Sequence, residues 1–406
     1  MEGGVRVGLV RAGWTLLVVL LVLVVVRTTV ADVYRVGSGS MRPTIFGGPD
    51  PRTGEVQDER LLVRFGGAED LARFDLAVVR REPDPPIVKR VAGLPGESVA
   101  VVGGDLFVDG ARLPLDAPRP PPVLVFDEAL HDLAQYFNFK PAPEGPWTRE
   151  GEAWRLDARA IKAGSDAGMM LFQKELRDDY LDPCGQRVVG RREANDARLE
   201  CEVRLDEAAG ALRFRLVEAG DTFEARLEPA GDGRTSAQLL RYNSASLQDP
   251  ENIQNRIAVL AQRELVLAPG AWHRLVFENV DNHLILDVGA ERLTAGYEAN
   301  EPYPGPKPMG QASIGARVAF GGEGCAAAFR RVRVLRDLCY AAVGEHGVGE
   351  PLQLGPDEYF VLGDNSSDSR DSRLFGAVRA EQIVGRPVLV VWPWNRRRVL
   401  GGIAPR

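Results

Sequence analysis

The chain has 406 residues, 45% of them hydrophobic and 26% charged, with a formal net charge of −7. That length supplies two or more hydrophobic cores, since domains run to about 100 to 200 residues. The composition is globular, and its mild acidity excludes the basic surface that a nucleic-acid partner requires. Arginine greatly outnumbers lysine: only Lys89, Lys140, Lys162, Lys174 and Lys307 are lysines, so a position that keeps Lys has a reason to need it.

In chain order, Arg6 and Arg11 sit in a short leader of residues 1–11. From Ala12 to Val26 the sequence is uncharged and dominated by Leu and Val, and it continues past Arg27 through Thr28, Thr29, Val30 and Ala31. This gives about 20 residues, roughly 30 Å of helix, provided that Arg27 snorkels to the interface. The pattern predicts a transmembrane anchor over 12–31 with 1–11 in the cytoplasm and the remainder exported. A cleaved secretory signal ending at Thr29-Val30-Ala31 is the competing reading, and Arg27 weakens the charge bias that sets the orientation. No second stretch of comparable length occurs.

Residues 33–115 carry short apolar runs punctuated by Gly and Pro: Arg60 to Val63, Leu76 to Val79, Ile87 to Val91, Val99 to Val102 and Leu106 to Val108. This is strand-and-turn spacing. The stretch from Pro118 to Pro122 marks a boundary. Beyond it, Leu199, Cys201, Val203 and Leu205 alternate with polar residues, as do Leu212, Phe214 and Leu216, then Phe223, Ala225 and Leu227. Period-two alternation predicts half-buried antiparallel strands. With Trp272-His273 and the hairpin after it, the pattern resembles a laminin-G or concanavalin-like jelly roll. Short strands return in 350–406, notably Tyr359 to Leu362 and Val388 to Trp392. The expected fold is therefore mainly β. One domain, split between 33–115 and 350–406, receives in a surface hairpin a β-sandwich of residues 120–345.

Cys184, Cys201, Cys325 and Cys339 lack CxxC spacing or a neighbouring His cluster, so no metal site is expected. Disulfides in an exported domain and small buried thiols both remain open. The histidines are His131, His273, His283 and His346, and only His346, at a border, approaches the flanking segments. A Ser-His-Asp triad has no base there. Lys89 is the sole lysine of residues 1–120 and 341–406. A desolvated ammonium can be neutral near pH 7, whereas a guanidinium cannot. Its neighbours Pro85-Pro86-Ile87-Val88 and Val91-Ala92-Gly93-Leu94 are apolar enough to depress its pKa. The tract Val36-Gly37-Ser38-Gly39-Ser40 presents two hydroxyls beside small residues that admit a substrate backbone.

Ser38-Gly39-Ser40-Met41-Arg42-Pro43-Thr44, close after the apolar span, resembles the serine box of type I signal peptidases. Lys89-Arg90-Val91-Ala92-Gly93-Leu94-Pro95-Gly96-Glu97 resembles their lysine box. Arg73-Phe74-Asp75-Leu76-Ala77-Val78-Val79 is similar to another strand box. Gly363-Asp364-Asn365 with Ser369-Arg370-Asp371-Ser372-Arg373 is similar to the C-terminal one. The resemblance implies Ser40 as nucleophile, Lys89 as general base, and Ser38 with the Ser40 backbone N–H as the oxyanion hole. It further implies Ser369 as the group that orients the lysine, Asp371 with Arg373 as a supporting ion pair, and no cofactor. Small substrate side chains would fit shallow pockets, for which Val36, Met41, Ile87 and Val88 are candidates. The implied partners are exported preproteins with Ala-x-Ala-like sites and a lipid bilayer. A ligand for the insert is left open. Phe74 stands where the family usually has Gly, Glu97 where it has Asp, and Ser366-Ser367-Asp368 replaces a more charged stretch. The alternatives are a processing peptidase for selected partners, or a membrane protein binding carbohydrate or another envelope polymer on an inactive protease platform.

Overall fold

The computed structural model describes residues 14–18, 21, 27, 29–194, 196–218, 221–230, 233–242, 257–298 and 317–400. Much of the expected anchor over 12–31 lies outside the described residues. Residues 14–18, 21, 27 and 29 are helical, and Trp14, Leu16, Leu17, Val18 and Leu21 are exposed. Among the described residues no helix is long and apolar enough to cross a membrane.

The chain divides into two compact units. One comprises Met1–Ala100, Val108–Gly110 and Val343–Pro405, and the other Val101–Phe107 and Ala111–Ala342. The first is built on an antiparallel sheet. Its strands run in the order Ala31–Arg35, Arg60–Phe65, Ile383–Trp392, Leu76–Arg81, Asp84–Gly93, Glu358–Leu362 and Val378–Arg379, and Arg398–Val399 pairs additionally with Ile383–Trp392. Consecutive strand residues face opposite sides, so a sheet covered on both faces needs unbroken apolar runs. Ala77, Val78 and Val79 are such a run. Ala77 and Val79 join Ala68, Leu71, Val91, Val361 and Ile383 in one core, while Val78 joins Val36, Met41, Ile45, Leu61, Val63 and Val390 in another. The second of these cores draws Met41 and Ile45 from the segment between the first two strands, which holds that segment against the sheet.

The second unit consists mainly of two antiparallel sheets. The larger runs Trp147–Glu150, Ala153–Asp157, Ala326–Arg336, Ala197–Leu205, His273–Val280, His283–Val288 and Glu291–Gly296. The other runs Phe137–Asn138, Met169–Phe172, Arg317–Glu323, Ala211–Glu218, Asp221–Pro229, Arg234–Tyr242 and Ile257–Val266. The alternating residues Leu199 to Leu205, Leu212 to Leu216 and Phe223 to Leu227 all enter one core shared by both sheets. Two layers that each bury one face against the other account for that period of two.

All four cysteines are free thiols: Cys201 and Cys325 are buried, Cys339 is partly buried and Cys184 is exposed. Desolvation raises the Cys325 and Cys339 thiols to about 12, leaving almost no thiolate to react at neutral pH. A maleimide at pH 7 should therefore label Cys184 rapidly and the other three only after unfolding. Mass spectrometry of the native protein should find one modification, and rapid labelling of Cys201 or Cys325 would contradict this packing.

Candidate active site

The segment after the first strand of the first unit returns to the sheet through backbone bonds from Val36 N to Glu59 O (3.0 Å) and from Glu59 N to Phe46 O (3.1 Å). Between them a tight turn is closed by Arg42 N to Gly39 O (3.1 Å) and Ile45 N to Met41 O (2.9 Å). The buried Arg42 side chain donates from Nη2 to the carbonyls of Gly47 (2.7 Å) and Pro49 (2.8 Å). A Cβ on Gly39 would stand 2.7 Å from Arg42 Nη1, so this glycine makes room for the guanidinium that ties the loop. Ser40 follows it, only 7% exposed, with its Oγ 3.2 Å from Ser38 Oγ.

Lys89 lies in the strand Asp84–Gly93, opposite Ala77, whose small side chain leaves space on the shared face. Lys89 is 2% exposed. Its Nζ lies 2.6 Å from Ser40 Oγ and 3.1 Å from the Val88 carbonyl. Burial lowers its pKa to about 8, against the opposing influence of the Asp371 and Asp364 carboxylates and with a smaller downward contribution from Arg373. A substantial fraction is thus neutral at mildly alkaline pH, with the nitrogen already at hydrogen-bond distance from a hydroxyl.

The segment after Glu358–Leu362 braces both groups. Asn365 N donates to the Ser40 carbonyl (3.0 Å) and Asn365 Nδ2 to the Gly39 carbonyl (3.0 Å). Asp364 receives a two-pronged bond from Arg90, Nε to Oδ1 at 2.7 Å and Nη2 to Oδ2 at 2.5 Å. Thr44 Oγ1 donates to the same carboxylate, and Arg90 Nη1 donates to the Phe74 carbonyl (2.7 Å). Asp371 and Arg373 form a second buried fork, Nε to Oδ1 at 2.8 Å and Nη2 to Oδ2 at 2.7 Å. Asp371 also accepts from Gly363 N (3.0 Å), and Arg373 Nη1 donates to Ser366 Oγ (2.7 Å). A Cβ on Gly363 would lie 2.1 Å from Ser369 Oγ and 2.6 Å from the Ser40 carbonyl oxygen.

Ser40, Lys89 and Ser38 are therefore together, and Asp371 with Arg373 is the paired ion that the sequence suggested. Ser369 Oγ is buried without a hydrogen-bond partner among the described residues, so the contact to Lys89 expected of it is not made. Of the four pocket candidates, Val36 and Met41 lie in one core with Val88 packed against it, whereas Ile87 packs against the other. Adjacent strand residues point to opposite faces, a signal already present in the sequence. Phe74 has φ 68°, a left-handed conformation that a bulky residue adopts at a cost of about 1 to 2 kcal/mol and that glycine adopts freely. Its ring is 4% exposed, and that burial offsets the strain. Glu97 accepts from Arg73 Nη2 (2.5 Å) and Leu94 N (2.7 Å), closing the turn after the lysine strand. Arg90, Asp364, Thr44 and Asn365 were quoted within the sequence blocks without a role. Their bracing becomes visible only when residues 274 to 326 positions apart meet.

Asp105, Asp196 and Asp281, in the second unit, bring carboxylate oxygens within 4.8 Å of one another. Arg112 is paired with Asp105 at 2.9 Å and Arg119 with Asp281, so cationic side chains already meet two of the three. The family described as signal peptidase, peptidase S26, matches residues 9–140 and 340–392. Signal peptidase I P of Bacillus subtilis subsp. natto is 33% identical over 102 residues, 24% of this chain and 49% of that protein. Signal peptidase I of Leptolyngbya laminosa is 43% identical over 51 residues, 13% of this chain and 25% of that protein. The chain thus spans between a quarter and about half of the length of these curated relatives. Among solved structures, the carbohydrate-binding module CBM66 from Bacillus subtilis aligns with 47% of this chain and 91% of its own at 10% identity, with a TM-score of 0.28, too slight a likeness to bear on ligand or activity. The matched segments contain both members of the Ser40–Lys89 pair, and over these segments the chain is similar to the signal peptidase family, peptidase S26.

Proposed function

We propose that the chain is a serine endopeptidase that removes signal peptides from exported preproteins by a Ser40–Lys89 dyad. The observation that carries this is the 2.6 Å contact between Ser40 Oγ and Lys89 Nζ, made by a lysine that burial has brought to a pKa of about 8. In the neutral form, Lys89 Nζ accepts the Ser40 hydroxyl proton as Oγ attacks the scissile carbonyl carbon. The negative charge that develops on the carbonyl oxygen is met by the Ser40 backbone N–H and the Ser38 hydroxyl. The ammonium then protonates the leaving amine, which departs and leaves an ester on Ser40. Water, deprotonated by the same lysine, hydrolyses that ester. Asp371 with Arg373 and Asp364 with Arg90 act as positioning groups, and Ser369, whose Oγ makes no hydrogen bond among the described residues, is the proposed orienting group for Lys89. Val36, Met41, Ile87 and Val88 are the residues proposed for shallow apolar subsites that accept Ala-x-Ala-like side chains.

Attachment to a membrane, with the catalytic unit on its outer side, belongs to the same proposal. Val33, Leu62, Leu389 and Val399 stand opposite one another in a row across four strands, with Val33 46% and Val399 76% exposed. Rows of Arg35 with Arg60 and of Arg64 with Arg386 flank it, and Trp392 and Trp394 are exposed beside it. An apolar row bordered by arginines and indoles suits an anionic bilayer surface.

With a preprotein bearing an Ala-x-Ala site and the full chain in detergent, kcat/KM should rise with pH through a midpoint near 8, because the protonated lysine cannot accept the serine proton. Ser40→Ala and Lys89→Arg should be silent throughout. Cleavage by either variant, or a midpoint at the ordinary lysine value of about 10.4, would contradict the assignment. Gly363→Ala forces the Ser40 carbonyl away and should lower kcat by about a hundredfold, the scale of a 1 Å misplacement. Unchanged turnover would show that the close approach is incidental.

A further inference from the structure

The geometry points to a binding site for a carboxylate-bearing saccharide on the outer face of the larger sheet of the second unit. That face carries a groove of about 250 Å³ between the turn at Glu150 and Glu152 and the indole of Trp272. Its floor follows from strand register. Arg155 on Ala153–Asp157 and Arg204 on Ala197–Leu205 both stand opposite Ala328 on the strand between them. The smallest side chain of the row lies between its two longest, and the missing volume is the groove.

Most arginines on this face, including Arg204 and Arg330 in the groove, are fitted to carboxylates, while Arg274 reaches Glu200 only at 3.8 Å. Arg198 pairs with Glu200 at 2.6 Å, Arg330 and Arg331 with Glu202 at 2.7 Å each, Arg333 with Glu200 at 3.0 Å and Arg204 with Asp206 at 2.8 Å. Arg155, 43% exposed, reaches only 3.6 Å from Glu150 and 3.9 Å from Asp206. It has no hydrogen-bonded partner among the described residues. A guanidinium fork that faces an open groove without a fitted carboxylate is arranged to receive one from outside.

The neighbours narrow the ligand. Arg204 and Arg330 lie over the Trp272 ring at 5.1 and 4.2 Å from its centroid, which holds the indole as a wall of the groove. Glu150 and Glu152 on the opposite side offer acceptors but repel a second anionic charge. One carboxylate for Arg155, with hydroxyls that donate to the glutamates and accept from the arginines, describes a uronic acid unit. A polyacidic peptide would bring charges against Glu150 and Glu152. The space equals that of about eight waters, which suits a sugar ring with its substituents rather than a folded partner.

Titration of the full chain in detergent with the trimer of galacturonic acid, its methyl ester and triglutamate, followed by calorimetry and tryptophan fluorescence, tests this. The acid trimer should bind saturably, and the uncharged ester about tenfold or more weakly, as expected for losing charge-assisted hydrogen bonds. Arg155→Met should weaken the acid trimer to the same degree with unchanged thermal unfolding, Arg155→Lys should recover only part of the affinity, and Ala328→Leu should fill the floor and abolish binding. No saturable binding of the acid trimer, equal affinity of Arg155→Met, or tighter binding of triglutamate would each overturn the proposal. None of these readouts depends on peptide cleavage, so their failure leaves the peptidase reading where it stands.

Discussion

An ammonium group denied water is the constraint on which the rest of the first unit is arranged. Lys89 is 2% exposed, and loss of hydration disfavours its charged form enough to bring its pKa to about 8. Burial of that kind is ordinarily avoided, because a lone charge in the interior costs several kcal/mol. Here Ala77 leaves the space, and the serine segment, pinned by Arg42, Asn365 and Glu59, covers the nitrogen with a hydroxyl instead of solvent.

The same logic governs the two buried ion pairs. Asp371 and Asp364 would each favour the protonated lysine, and unpaired they would undo what desolvation achieves. Arg373 and Arg90 engage them through two-pronged bonds, so the carboxylates position the backbone, and Arg373 works against their pull on Lys89. Arginine is suited to this because its fork matches a carboxylate and it never surrenders its proton. Lys89, a lysine among many arginines, stands where the proposed mechanism needs a group that can lose its proton.

Much of this was legible before any coordinates. The resemblance of the Ser40 and Lys89 blocks to those of type I signal peptidases pointed to the pair, and the period of two in residues 199–227 pointed to facing sheets. Residues whose meaning depends on distant partners were not legible. Asn365 reaches the Gly39 carbonyl across 326 positions, and Gly363 is required by the nearness of Ser40, which no local pattern reveals. Phe74 in place of glycine was visible as a departure, but its positive φ was not. The groove beneath Trp272 arises from the register of three strands brought together from residues 153–157, 197–205 and 326–336.

With only five lysines in the chain, the ionisation of Lys89 can be observed directly. A pH titration of the 13Cε resonance of isotopically labelled lysine, assigned by its disappearance in Lys89→Arg, reports the proton on Nζ without reference to activity. Lys89 should give a single resonance with a midpoint near 8, absent from the variant. A Lys89 resonance titrating at the ordinary value of about 10.4 would mean that the nitrogen facing Ser40 is a permanent cation at physiological pH and cannot be the base.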